Sequence, residues 1–495
     1  MKNRAFFFFG IEQNLLKIPF FVDFIAPTGV TLPTSLTSLE GEVVSTNNPT
    51  ALFGRVDFNL DQNNTVNFQY THSRFNGDNF VALDEGITLT DRANEIERTG
   101  RSNGFKASAV SVLTPELVNE FRIQVATDNR LEEANTAGPE IRIDGIGLPG
   151  SSNARIAGNN ARPRIFNTLR TQVSDNVSWS VGEHRLKFGF DINVNRFEAR
   201  RIPFGVGSYR FQSSGSTSAL TNFINNIPRR LEQTILISPD LAQAKGEQRE
   251  YSFFVQDKFK VTKDLTLNFG LRWEGLDNPN PPVGNPLYPV TQRIPDDWKQ
   301  WQPRLGGAWD IFGNGNSVLR VSSGLYAART PSTLFIRPFV ENGVVSRFVR
   351  VDEVSGACRT SLTATNCALR RNPDGTTGSN FRVAFPNLLT SAQANLADPL
   401  RNRVFGFDPD FKNPRSFQAS ATLEQKIGED FVLSVGFLRN STWNLQRRLN
   451  RNLRPPTIDA VTGNPVLRLS QRAELTLQST GFRSTNLRLI LITTL

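Results

Sequence analysis

The feature that most limits the fold of this chain is a hydrophobic period of two. It is cleanest in Leu265-Thr266-Leu267-Asn268-Phe269-Gly270-Leu271-Arg272-Trp273, where every odd residue is apolar and every even one is polar or Gly. Such alternation gives a strand one dry face and one wet face. The same pattern recurs along the chain. Val66, Phe68 and Tyr70 interleave with Asn67, Gln69 and Thr71. Leu186, Phe188, Phe190 and Ile192 interleave with Lys187, Gly189, Asp191 and Asn193. Phe121, Ile123 and Val125, and Phe417, Ala419, Ala421 and Leu423, repeat it.

Turn-forming residues join these segments into hairpins. They are Asp61-Gln62-Asn63-Asn64, Thr114-Pro115-Glu116, Gly182-Glu183, Thr262-Lys263-Asp264, Gly313-Asn314-Gly315-Asn316 and Gly428-Glu429-Asp430. Between the hairpins lie long polar segments, at about 75–103, 127–171, 194–249, 275–303 and 327–415. A compact soluble domain rarely carries structureless connections of that length. Tight turns at one end, long connections at the other and alternating strands of about 9–11 residues describe an all-β, antiparallel transmembrane β-barrel. In it the short turns are periplasmic and the long loops extracellular. The expectation is one incomplete barrel domain over 1–495, with long extracellular loops at about 127–171, 194–249 and 327–415.

Within that frame Leu267, Phe269 and Leu271 should face lipid, and Asn268 and Arg272 the lumen. Tyr70, Trp179, Tyr251, Trp273 and Tyr326 fall near strand ends, where interfacial aromatics collect. Asp257 shares the parity of Tyr251, Phe253 and Val255, so a β-bulge between Phe254 and Asp257 is expected to restore the register. Asp175 poses the same problem beside Val173 and Val177. Residues 219–224 read as a short helix, and 278–289 as too rich in Pro for a strand interior.

Composition removes other classes. No run reaches the roughly 18 apolar residues of a spanning helix. The longest, Ala5-Phe6-Phe7-Phe8-Phe9-Gly10-Ile11, stops at Glu12 and is too short for a signal peptide. The 56 Lys and Arg against 46 Asp and Glu are scattered, without the basic block of a nucleic-acid site. Two His and two Cys leave no room for a His/Cys metal centre, and no cofactor is expected. Asp144-Gly145-Ile146-Gly147-Leu148-Pro149-Gly150 has the spacing of a dinucleotide fingerprint but no βαβ setting, and reads as a turn in an exposed loop. His72 and His184 stand at strand ends with no G-x-S-x-G elbow elsewhere, so no hydrolase triad is expected. Glu132-Glu133 and Asp296-Asp297 read as solvent-facing loop acids. Cys358 and Cys367 fit a local disulfide in an oxidising compartment, worth about 2–3 kcal/mol on the chain-entropy model. The other reading is two free thiols.

Phe253-Phe254-Val255-Gln256-Asp257-Lys258-Phe259, followed by Leu265 to Glu274, resembles the barrel of TonB-dependent outer-membrane receptors, and within them the Oar-like subfamily. Leu117-Val118-Asn119-Glu120-Phe121-Arg122, Gly182-Glu183-His184-Arg185-Leu186-Lys187-Phe188-Gly189, Gln302-Pro303-Arg304-Leu305-Gly306 and Gly436-Phe437-Leu438-Arg439-Asn440 fit the same subfamily. The resemblance implies a plugged barrel of about 22 strands in the outer membrane. Such a receptor imports a large or scarce ligand with energy from the TonB complex. About 13–15 strands are countable here, and no signal, TonB-contacting segment or plug is recognisable. The stretch after about Ser479 looks unlike the family, so the chain reads as part of such a receptor. The partners implied are outer-membrane lipid, the TonB complex and an unknown ligand. Two other functions fit the pattern less closely. One is a non-transporting surface or adhesion barrel. The other is a secreted β-rich carbohydrate-active enzyme.

Overall fold

The computed structural model describes residues 4–80, 96–147, 153–352, 385–391, 403–451, 457–458, 465–466 and 475–494. Its strands are, in chain order, β1 (Ala5–Gln13), β2 (Leu16–Val22), β3 (Gly41–Asn47), β4 (Thr50–Asn59), β5 (Asn64–Phe80), β6 (Ile96–Thr114), β7 (Leu117–Ala134), β8 (Glu140–Asp144) and β9 (Asn153–Ala157). They continue with β10 (Arg164–Val181), β11 (His184–Arg201), β12 (Ser208–Phe211), β13 (Arg230–Leu236), β14 (Ala244–Lys260), β15 (Leu265–Asp277), β16 (Asp297–Asp310) and β17 (Ser317–Ala327). The last are β18 (Ser346–Asp352), β19 (Val404–Phe407), β20 (Arg415–Ile427), β21 (Phe431–Asn450), β22 (Thr457–Ile458), β23 (Pro465–Val466) and β24 (Leu475–Thr494). The short helices are α1 (Thr34–Thr37), α2 (Ala219–Ile224) and α3 (Ile336–Val340).

One sheet dominates, in the order β1-β4-β5-β6-β7-β10-β11-β14-β15-β16-β17-β20-β21-β24-β19. The run from β1 to β24 is antiparallel throughout, and β19 adds to β24 in parallel. Among the described residues the outer strands of this sheet do not pair with each other, so closure into a ring is not seen. The six tight turns fall where the sequence places them, for example between Val181 and His184, which pair directly. The long strands outrun the expected length: β6 has 19 residues, β7, β10 and β11 have 18 and β21 has 20. They extend into the segments read as loops, because polar cross-strand pairs such as Arg98–Glu132 and Glu132–Arg164 continue the ladder beyond the apolar belt. Residues 475–494 pair with β21 along its length, so the stretch after about Ser479, expected to be unlike the family, continues the sheet.

Parity separates the faces. Register places Leu267 beside Phe259, Phe269 beside Leu305, and Leu271 beside Val255. Val255, Phe269 and Leu305 are 51%, 42% and 63% exposed, an apolar surface that water would not tolerate over this extent. Two bands of aromatics bound it. Trp309 is opposite Leu265, while Trp273 sits between Phe253 and Trp301. Eight residues separate Leu265 from Trp273, about 26 Å along the strand at ~3.3 Å per residue. Tilted by about 40°, this spans roughly 20 Å, close to the apolar band of about 25 Å in outer-membrane barrels.

The expected bulge at Asp257 is absent. β14 pairs without a shift to β11 from Ala244 to Phe259 and to β15 from Arg249 to Lys260. Asp257 keeps its outward parity because His184 Nδ1 lies 2.6 Å from its Oδ2. Asp175 is accommodated likewise, accepting a 2.8 Å hydrogen bond from Asn119 Nδ2. The register shift occurs instead between Glu274 and Leu276, opposite Trp298. There Gly275 is required, since a Cβ would come within 2.4 Å of the Trp298 ring.

The apolar cores lie beyond the belt, at the rim carrying the long connections. A second sheet, ordered β18-β13-β12-β8-β9, is built from three of those connections. Ile141, Ile143, Ile156, Tyr209, Phe211, Leu231, Ile235 and Val349 point from it into one cluster with Val22, Phe24 and Leu36. The polar connections are therefore a folded cap with its own interior. Ile146, in the glycine-rich segment read as an exposed turn, is 1% exposed inside it. α2 forms where expected, with Ser218 Oγ accepting from Thr221 N at 3.1 Å as its N-cap. A second cluster joins Phe197, Ala199 and Ala244 to Phe335, Phe339 and Val340 around α3.

A nitroxide at position 269 should collide freely with lipid-dissolved oxygen, and one at 268 with a water-soluble relaxation agent. Low access to both agents at 269 would mean protein packing on that face.

Candidate functional site

The face opposite the lipid belt is mostly polar because Gln248, Glu250, Ser252, Gln256 and Lys258 of β14 and Thr266, Asn268, Arg272 and Glu274 of β15 stand on it, with Phe254 among them. Asp191, Ser252 and Glu274 lie in one row across β11, β14 and β15. Gln172, Asn193 and Glu250 lie in the next row, across β10, β11 and β14. Arg170 donates to Asn193 Oδ1 at 2.8 Å, and Asn193 donates to Glu250 Oε2 at 3.0 Å. Arg329, just past β17, reaches the same Glu250 oxygen at 2.9 Å. Arg272 donates to Glu274 Oε1 at 2.6 Å and to Ser252 Oγ at 2.8 Å. Ser252 Oγ in turn donates to the Asp191 carbonyl at 3.2 Å. Charges of both signs are thus held in fixed positions on a wet wall. A cavity of about 370 Å³ opens on it, lined by Lys106, Arg122, Gln124, Asp191, Arg272 and Arg329 among others.

The ladder continues towards the long-connection rim. Glu132 meets the guanidinium groups of Arg162 at 3.1 Å, Arg98 at 3.6 Å and Arg164 at 3.7 Å. It is therefore a strand residue inside a cationic cluster, not the solvent-facing loop acid expected. Asp297 likewise is 8% exposed and accepts from Asn413 N at 3.2 Å. Glu341 ends α3 with its Oε1 3.1 Å from Arg337 Nε. Burial pushes the Glu341 carboxyl above its ordinary value, and the positive charges of Arg337, Arg403, Arg201 and Arg448 offset this in part. Burial also raises the Tyr209 hydroxyl, which donates to the Asn387 carbonyl within the cap.

Leu267, Phe269 and Leu271 are 37%, 42% and 41% exposed on one face of β15, and Asn268 and Arg272 have the opposite parity. Cys358 and Cys367 lie outside the described residues. His72 Nδ1 is 2.9 Å from Asn103 Oδ1. The sequence signalled Tyr251 and Trp273 as interfacial but missed Trp298 and Trp301. Trp298 stacks on Tyr251 at 5.8 Å between centroids, and Trp273 Nε1 donates to the Trp298 carbonyl at 2.9 Å. Neither missed tryptophan belongs to a long alternating run. Among the described residues no group of three or more His, Cys, Asp or Glu side chains is placed to hold a metal ion.

Residues 11–488 match the outer membrane beta barrel domain family, and the chain belongs to that family. Its members sit in the outer membrane. Over 201 residues the chain is 25% identical to the TonB-dependent transporter Oar of Myxococcus xanthus, covering 38% of this chain and 17% of that protein. The solved outer membrane transporter YddB of Escherichia coli superposes with a TM-score of 0.57 at 11% identity, over 99% of this chain and 50% of that one. The ferric enterobactin receptor of Pseudomonas aeruginosa gives a TM-score of 0.50 at 9% identity, over 91% and 49%. The large antiparallel sheet thus resembles the barrel of TonB-dependent receptors. The chain spans about half the length of these solved structures and a smaller part of the curated relative.

Glu250→Ala should strand Arg329 and Asn193 and cost roughly 1–3 kcal/mol of unfolding free energy, readable by urea titration followed through tryptophan emission. The Glu341 shift has its own signature. A raised carboxyl favours the protonated form, so the packing of α3 is strongest below the ordinary value of 4.5 and weakens as pH rises through the raised one. Amide exchange at 336–341, corrected for intrinsic rates, should be faster near neutral pH than in acid. Glu341→Gln should flatten that dependence.

Proposed function

We propose that this chain forms barrel wall and extracellular cap of an active importer, which moves a large or scarce ligand across the outer membrane with energy delivered by the TonB complex. The observation that carries the reading is the hydrogen-bonded polar wall. It runs from Glu132 and its arginines, near the cap, to Arg272 and Asp191 opposite the lipid belt. A surface adhesin needs an exposed rim; it does not need fixed charges of both signs lining a wet interior at membrane depth. In this reading the short turns are periplasmic and the cap extracellular. The cap then meets the ligand first, and the polar wall supports the contents of the lumen. The likeness to Oar and to solved outer-membrane receptors supports the assignment of class.

The test compares compounds depleted from growth medium by wild-type cells, by cells lacking the gene and by cells lacking a working TonB complex. One set of compounds should stay undepleted in both mutants. Equal depletion in all three strains, with surface attachment lost only in the gene deletion, would replace import by adhesion.

A further inference from the structure

One acid on the apolar face towards the short-turn rim, Asp257, has no part in the polar wall. Asp257 lies in register with Leu186 on one side and Phe269 on the other. It is 7% exposed, and its Oδ1 has no hydrogen-bond partner. A carboxylate facing lipid is costly, and a buried one needs a partner. That partner is His184, the first residue of β11, directly after the Gly182-Glu183 turn. The imidazole lies flat on the Phe259 ring, with centroids 4.2 Å apart and planes within 1°. Its side chain is 44% exposed, against 8% for Asp257. The acid is thus inside, the imidazole outside, and Nδ1 is committed to the acid. Nε2, on the far edge of the ring, has no hydrogen-bond partner among the described residues.

From this geometry we propose that His184, held by Asp257 and Phe259, is a binding site for the headgroup of a zwitterionic phospholipid in the leaflet that meets the short-turn rim. Depth supports this occupant. His184 is one residue from the turn, and Trp179 and Trp309, at the same rim, are each 45% exposed on the lipid side. Interfacial aromatics of this kind sit at headgroup level. Chemistry supports it too. Nε2 donates to a phosphodiester oxygen when the ring carries both protons, and accepts from a primary ammonium when it carries one. A phosphatidylethanolamine headgroup offers both groups. The site lies outside the lumen and does not depend on what the barrel imports. Its consequence is a fixed depth of the barrel in the bilayer at β11 and β14.

This chain has only two histidines, so ¹⁵N-histidine labelling of this chain with His72→Gln leaves a single imidazole. In phosphatidylethanolamine bilayers, solid-state NMR should show the Nε2 signal dephased by lipid ³¹P. Inorganic phosphate added in phosphorus-free detergent should produce no dephasing. Asp257→Asn should leave the barrel folded, shift the Nδ1 resonance and return dephasing to the phosphorus-free baseline. Three results would each overturn the site. They are no dephasing in bilayers, equal dephasing by inorganic phosphate, and unchanged dephasing in Asp257→Asn.

Discussion

Everything in this molecule follows from the backbone's need to be hydrogen-bonded where no water can serve it. In a bilayer a strand meets that need only through its neighbours, and its side chains then divide strictly by parity. The register from β4 to β21 shows the division at work. Each hairpin keeps its odd or even row in step with the next, so that Val255, Leu271 and Pro303 fall on one face while Phe254, Arg272 and Gln302 fall on the other. A slip of one residue at any turn would carry Arg272 into lipid. The tight turns are therefore the points where the whole pattern is set. Gly182 with φ +55° and Gly428 with φ +70° adopt backbone conformations that other residues rarely accept.

Because lipid is the apolar partner of one face, the sheet needs no protein core of its own. The buried hydrophobes collect instead where strands leave the membrane. There the connections meet water and must bury their own apolar residues to hold a shape. This explains why both clusters involve segments that look polar in the sequence. In β8, β9, β12 and β13, strands only four to seven residues long, buried apolar residues such as Ile141, Ile143, Tyr209, Phe211, Leu231 and Ile235 are set among polar ones. Their polar rows are also used internally. Glu140, fully buried, accepts from Asn160 Nδ2 at 2.9 Å and from Ser208 Oγ at 3.1 Å.

The barrel strands were legible because their alternation persists over nine or more residues between strong turn signals. The cap was not, because a four-residue strand such as Ser208–Phe211 carries too few periods to stand out from a loop. The residues of the polar wall were legible as a face but not as a network. Which Arg meets which Glu depends on register between distant strands: Arg170, Asn193, Glu250 and Arg329 come from three strands and a connection. The misreading of Glu132 has the same origin. Its strand continues past the point where apolar residues stop, and only its pairing with Arg98 and Arg164 shows it.

Exceptions to parity carry the most information. A bulge between Phe254 and Asp257 would have satisfied the pattern locally, but it would also have turned Phe259 off the lipid face and Lys258 onto it. The unbroken register keeps Phe259 beside Leu267 and leaves Phe253 and Tyr251 beside Trp273 and Trp298, with Phe253 stacked on Trp273 at 5.9 Å between centroids. One polar pair on the outer face is the smaller disturbance, provided the acid has a partner within reach. His184 supplies it at 2.6 Å, and Asn119 does so for Asp175 at 2.8 Å. The bulge appears instead in β16 at Trp298 and Lys299, towards the long-connection rim, where Gly275 opposite leaves room for the Trp298 ring. The fold therefore holds its register through the membrane and relaxes it where β15 leaves the apolar belt.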